Sequence, residues 1–136
     1  MTQPVTDCLK ILFPLLISSS YKRALILGTP SFTSPEDKGG LKWKASVVLV
    51  KIIGGTAYEE FSGLGKFVTE TDVNSLKWTL FRVGFLGNGE ERSVTATYTG
   101  SGRDGMTISR KSIASWVLKE MGEGSEFVGK APFICN

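Results

Sequence analysis

Two spacings of apolar residues alternate along this chain and divide it into elements. Val5, Cys8, Leu9, Leu12, Leu15 and Leu16 recur at intervals of three and four, which predicts a helix over residues 5–19. Thr6 or Asp7 stands where a cap is needed, and Pro14 is expected to kink the helix or end it early. Residues 23–28 form a short, nearly continuous apolar run behind Arg23, the pattern of a parallel strand covered on both faces. A loop of hydroxyls and prolines follows, from Thr29 to Pro35. Residues 41–53 read as an apolar helix, with a strand as the alternative because Val47, Val48, Val50, Ile52 and Ile53 are β-branched. After Gly54 and Gly55, Thr56 and Glu59 have capping-box spacing for a helix over 57–70, with Phe61, Leu64, Phe67 and Val68 on one face. Gly63 and Gly65 weaken that helix unless another segment approaches closely there.

The stretch from Leu76 to Leu86 is the centre of the pattern. It is rich in aromatic and β-branched residues and is bounded by turn chemistry on both sides, so it reads as a buried strand. Residues 92–99 alternate and predict a shorter, more exposed strand. Ile108 falls in a brief extended piece. Ser109 is placed to cap a helix over 110–121, with Ile113, Trp116, Val117 and Met121 facing inward and Gly122 ending it. Residues 127–129 read as a last short strand, with 131–136 as a tail. Trp43, Trp78 and Trp116 are expected in the core or at its margin. The alternation of helices and strands predicts an α/β fold: about three parallel strands and a short extra strand, flanked by helices.

Composition narrows the chemistry. The 136 residues suffice for one domain, 1–136, and the 16 Lys and Arg are interleaved with 13 Asp and Glu. No basic stripe points to nucleic acid. The absence of histidine removes the commonest general base and the commonest metal ligand. Cys8 and Cys135 are solitary, make no metal spacing, and suit a reducing, cytoplasmic setting. The apolar runs 9–17 and 45–53 are too short to span a bilayer, so no membrane association is expected.

Four stretches, taken in order, resemble the atypical short-chain dehydrogenase/reductases, with the NmrA-like and flavin-reductase-like NAD(P)-binding proteins nearest. Leu76-Lys77-Trp78-Thr79-Leu80-Phe81-Arg82-Val83-Gly84 is similar to a segment that in the family continues from arginine into proline and glycine. Leu25-Ile26-Leu27-Gly28-Thr29-Pro30-Ser31 resembles the family's fifth strand and its hydroxyl-bearing loop. Ile108-Ser109-Arg110-Lys111-Ser112-Ile113-Ala114 resembles a helix start, and Phe127-Val128-Gly129-Lys130-Ala131-Pro132 the closing strand. The resemblance covers about residues 9–136 and only the carboxyl-terminal half of the family's fold, implying a partial Rossmann-like architecture.

What the resemblance implies for function is incomplete. The glycine-rich turn that holds a dinucleotide pyrophosphate has no match. Residues 84–89 and 100–105 contain glycines but read as turns. The family's tyrosine with a lysine four positions on is also absent: Tyr58 is followed at that spacing by Ser62, with Lys66 a turn further. NAD(P) is therefore the cofactor by resemblance only. Thr29 and Tyr58 are the candidate catalytic residues. Thr29, Pro30, Ser31, Phe32, Arg82, Gly84 and Phe85 are the candidate contacts for substrate or cofactor, and no metal is expected. Arg82 suits a phosphate or substrate acid, or else a structural ion pair with Glu59, Glu60 or Glu70. Three readings follow: a truncated NAD(P)-binding oxidoreductase relative, weak or inactive alone; a non-catalytic dinucleotide-sensing or protein-binding module; or a cofactor-independent isomerase or cyclase acting on a small molecule. If residues 23–28 form the first strand, its outer edge is bare, and the isolated chain is expected to form a homodimer through that edge, to aggregate or to be only marginally stable.

Overall fold

The computed structural model describes residues 2–136. Four helices and six strands follow one another: α1 Pro4–Ser18, β1 Arg23–Gly28, α2 Leu41–Ile53, α3 Gly55–Thr69, β2 Lys77–Arg82, β3 Phe85–Gly87, β4 Thr95–Thr97, β5 Thr107–Ser109, α4 Arg110–Glu120 and β6 Phe133–Cys135. The main sheet has the order β1-β2-β6-β4, in which β1 and β6 run parallel to β2 and β4 runs antiparallel to β6. A second, two-stranded sheet pairs β3 with β5 in parallel. This is an α/β, partial Rossmann-like architecture.

Side-chain alternation divides the sheet into two faces. Ala24, Ile26, Trp78 and Leu80 pack with Phe13, Leu64 and Val68 on the side of α1 and α3. Leu25, Leu27, Phe81 and Ile134 pack with Ile113, Trp116 and Val117 on the side of α4. Because β2 lies inside the sheet, with partners on both edges and helices on both faces, Leu80 is fully buried. The apolar run that predicted β2 has this cause.

Several expectations change in three dimensions. Pro14 sits within α1 without ending it, and α1 and α3 begin without the predicted side-chain caps. Residues 41–53 are helical, although only Trp43 of that helix is buried. Ser109 does cap α4, accepting a hydrogen bond from the Ser112 N–H at 3.1 Å. Met121 lies beyond the end of α4 and is 51% exposed instead of inward. The strand expected over 92–99 is confined to Thr95–Thr97.

The largest correction concerns the carboxyl terminus. Residues 127–129 are not the closing strand, because Gly129 takes φ +71° and breaks the extended run. The chain touches β2 through an isolated bridge from Lys130 to Thr79 and enters its strand only at Phe133. The expected tail is thus β6, with Phe133, Ile134 and Cys135 all buried. Likewise, the glycine-bearing stretch 84–89 is not simply a turn. Gly84 passes the Met106 carbonyl so closely that a Cβ would lie 2.4 Å from it, and Phe85–Gly87 then pairs as β3. The 100–105 stretch is a turn, with Gly100 and Gly102 at positive φ.

Candidate active-site cleft

The loops leaving β1 and β2 emerge side by side, because the two strands are parallel and in register from Arg23 opposite Lys77 to Gly28 opposite Arg82. The carboxyl ends of adjacent parallel strands are where α/β sheets receive ligands. Here they open onto a cleft of about 140 Å3. Thr29, Pro30 and Ser31 line it from the β1 loop, and Val83, Gly84 and Phe85 from the end of β2. Helix α2 supplies Trp43, Ser46, Val47 and Val50, α3 supplies Ala57 and Phe61, and Met106 completes the wall. Apart from three hydroxyls, these are apolar side chains. Such a space suits a flat ring and is too small for an entire dinucleotide.

Five of the seven predicted contact residues thus converge: Thr29, Pro30, Ser31, Gly84 and Phe85. Thr29 is held by its own loop, its hydroxyl oxygen accepting from the Ser31 N–H at 3.2 Å. Phe32 lies outside the cleft, against Gly65 of α3, where an added Cβ would come within 2.3 Å of the phenyl ring. The glycine expected to weaken α3 is therefore what lets the β1 loop settle onto it. Tyr58 is not in the cleft's own lining; it lines one depression with Gln3, Ser62 and Lys66, and another, with Asp37 and Thr99, that adjoins the cleft and shares Pro30, Ser31, Trp43 and Val47 with it. Its ring lies under the Lys51 ammonium at 4.9 Å. Thr29 and Tyr58, paired as catalytic candidates on sequence, therefore line two adjoining depressions that meet at Pro30 and Ser31.

Arg82 stands behind the cleft. Its side chain is fully buried and forms a two-pronged ion pair with Asp37, with Nη1 donating to Oδ2 at 2.7 Å and Nη2 to Oδ1 at 2.8 Å. Nε donates to the Ala131 carbonyl and Nη1 also to the Phe32 carbonyl. The expected partners Glu59, Glu60 and Glu70 are not used. They lie on or just after α3, whereas Arg82 points toward the loop between β1 and α2. Asp37 also accepts from the N–H groups of Ser34 and Thr99. Burial pushes its carboxyl up, but the Arg82 hydrogen bonds and charge, with those two N–H groups, hold it below the usual carboxylate range. This clasp fastens the loop that carries Thr29, Pro30 and Ser31 to β2, β6 and the β4 loop.

A second carboxylate organises the far wall. Asp104 accepts from Trp43 Nε1 at 2.5 Å and from the N–H groups of Gly100 and Gly102, and Lys42 stands beside it. These bonds fix the indole that lines the cleft. Burial pushes the Asp104 carboxyl up, and the hydrogen bonds from Gly100 and Trp43 bring it below its ordinary value. Burial raises the Cys135 thiol.

Sequence reading missed the α2 and α3 walls and both anchoring carboxylates. Trp43 and Val47, Ser46 and Val50, and Ala57 and Phe61 are each one helical turn apart, so the wall was visible as a spacing. The Arg82–Asp37 pair, 45 positions apart, carries no local signal. Among the described residues no group of three His, Cys, Asp or Glu is placed to hold a metal. No helix among them is long and apolar enough to cross a membrane.

No family model and no curated protein matches the chain. Solved structures do. A short-chain dehydrogenase/reductase of wide type from Veillonella parvula, solved in complex with NADP, matches with a TM-score of 0.72 and 12% identity, over 96% of this chain and 58% of that one. The oxidoreductase ylbE from Lactococcus lactis matches with a TM-score of 0.61 and 19% identity, over 92% and 51%. A Streptococcus pneumoniae protein described as an NADH-flavin reductase matches with a TM-score of 0.67 and 15% identity, over 99% and 65%. At such identities the likeness is one of fold. The chain spans between about half and two-thirds of the length of these proteins.

Proposed function

We propose that this chain is the ring-binding portion of an NAD(P)-dependent, oxidoreductase-like fold, and that alone it binds a nicotinamide or a similarly flat small molecule weakly, without efficient turnover. One observation carries the reading: Thr29, Pro30, Ser31, Gly84 and Phe85 come from the ends of two neighbouring parallel strands and meet in one apolar cleft. The residues fit one end of such a cofactor. The hydroxyls of Thr29, Ser31 and Ser46 can hydrogen-bond a carboxamide, and Trp43, Val50, Phe61 and Phe85 can enclose a ring. For the pyrophosphate end, no described strand is followed by a glycine-rich turn and a helix that would cradle it. When bound, such a cofactor supplies the hydride. This chain's residues would orient the ring and exclude water from one face.

Binding without turnover is favoured over catalysis by the lining itself, which contains hydroxyls but no carboxylate, amine or phenol to move a proton near neutral pH. Titrating NADPH and NADH against the purified chain tests this through the emission of Trp43, with loss of the NADPH absorbance as the measure of turnover. Saturable quenching with little turnover is expected. Val47→Phe, which fills the cleft, is expected to abolish the quenching while changing stability by less than about 1.5 kcal/mol. No saturable response to either nucleotide would overturn the proposal, and brisk hydride transfer would replace its binding form with an enzymatic one.

A further inference from the structure

We propose that the depression adjoining the cleft is a subsite for a small organic acid with an apolar body, its carboxylate held by Lys38 and Lys44. Pro30, Ser31, Trp43 and Val47 form a wall common to the two spaces, so a molecule in one lies beside a molecule in the other. The cleft measures about 140 Å3 and the depression about 590 Å3. Space for a ring thus opens onto room for a second small molecule. That the acid would neighbour a bound nicotinamide rests on the function proposed above. That the depression takes an acid rests on its own lining.

The charges of that lining decide the sign of the ligand. Beyond the shared wall, the depression is formed chiefly by Thr33, Asp37, Lys38, Lys44, Val48 and Tyr58. Asp37 is its only carboxylate. The Asp37 side chain is 4% exposed and is spent on the fully buried Arg82, so this pair presents no net charge to a ligand. The ion pairs among the described residues use Lys10, Lys42, Arg82, Lys111 and Lys130, and leave Lys38 and Lys44 without a carboxylate. Lys51, over the Tyr58 ring at 4.9 Å, adds a third positive charge behind that wall. Helix α2 itself carries no acidic residue.

Both lysines spring from fixed backbone. The Lys38 N–H donates to the Thr99 carbonyl at 2.9 Å, while the Thr99 N–H donates to Asp37 at 3.1 Å. Lys44 stands one helical turn before Val47 and Val48, on the flank of α2 that lines the depression. Apolar surface from Val47, Val48 and the Tyr58 ring therefore lies beside two unpaired ammonium groups. A neutral molecule would forgo the charges, and a bare inorganic anion would forgo the apolar contact.

Ligand-observed NMR titrations of naphthoate and of neutral naphthamide into the purified chain test the proposal. The two probes share one body, so the ratio of their affinities isolates the charge. Naphthoate is expected to bind about fivefold more tightly at low salt, and the preference to shrink as salt is added. Lys38→Gln and Lys44→Gln, both at exposed positions, should each cut the preference by about two- to fivefold, and Lys44→Arg should keep it. Naphthoate affinity should change by less than about twofold when NADPH is present at saturation. Equal binding of acid and amide, a preference indifferent to both lysines, or displacement of naphthoate by NADPH would each overturn the proposal, the last because acid and cofactor would then share one site. A chain that prefers the acid through these lysines but gives no response to NADPH would support the acid subsite and refute the nicotinamide reading.

Discussion

Arg82 shows how much one residue's meaning depends on what surrounds it. Near the end of an apolar strand, an arginine invites a ligand-binding reading, yet here every nitrogen of its guanidinium is engaged within the fold. A buried ion pair gives little net stability, but removing one partner strands the other. Arg82→Met is therefore expected to destabilise the chain by about 3–5 kcal/mol, read as a lowered urea midpoint. Arg82→Lys should recover only part, because an ammonium cannot reproduce the two-pronged geometry. The combined variant Arg82→Met with Asp37→Leu should lie above Arg82→Met alone. The pair also sets a pH dependence. Asp37 is held below its ordinary value in the folded state, so its contribution is complete above the usual carboxylate value of about 4 and is lost as pH falls through the depressed one. Unfolding midpoints from neutral to acid pH should fall more steeply in the wild type than in Asp37→Asn.

At the scale of elements, α3 shows that a glycine's cost depends on what lies above it. Gly65 underlies Phe32, whereas Gly55 has open space where a Cβ would go. Gly55→Ala is expected to stabilise by up to about 1 kcal/mol through helix propensity. Gly65→Ala should destabilise by about 1–3 kcal/mol, because the clash exceeds that gain and lifts the loop off the helix. Thermal denaturation of the two variants, run side by side, reads the opposite signs. The cap on α4 behaves more simply. Ser109 satisfies the Ser112 N–H and its hydroxyl contacts both the Glu90 carbonyl and the Ser112 hydroxyl, and Ser109→Ala should cost about 1 kcal/mol or somewhat more. That cap was legible in the sequence because it is a local arrangement of one serine before a helical period. The closing strand was not, because an apolar stretch near a chain end looks the same whether it pairs or hangs free.

For the molecule as a whole, the last six residues are structural. Phe133 is completely buried and stacks edge-on against Trp43 at 4.7 Å, linking β6 to the helix that walls the cleft. Deleting residues 131–136 is expected to abolish cooperative thermal unfolding, and Phe133→Ala to cost about 3–5 kcal/mol, both read by circular dichroism. The parallel relation of β1 to β2 followed from the periods of apolar residues, because burial on both faces writes itself into consecutive positions. Half-visible was the cleft: its two loops stood out by their hydroxyls, prolines and glycines, while its helical walls differed in nothing from core-facing turns. Hidden altogether were the partners of Arg82 and Trp43 and the break at Gly129. Local conformational preference and amphipathic spacing are properties of neighbours along the chain, so reading residues in order recovers them. Which distant carboxylate meets a buried cation, and which side of a helix a tyrosine ends on, are decided by how the elements pack, and only folding brings those groups within reach.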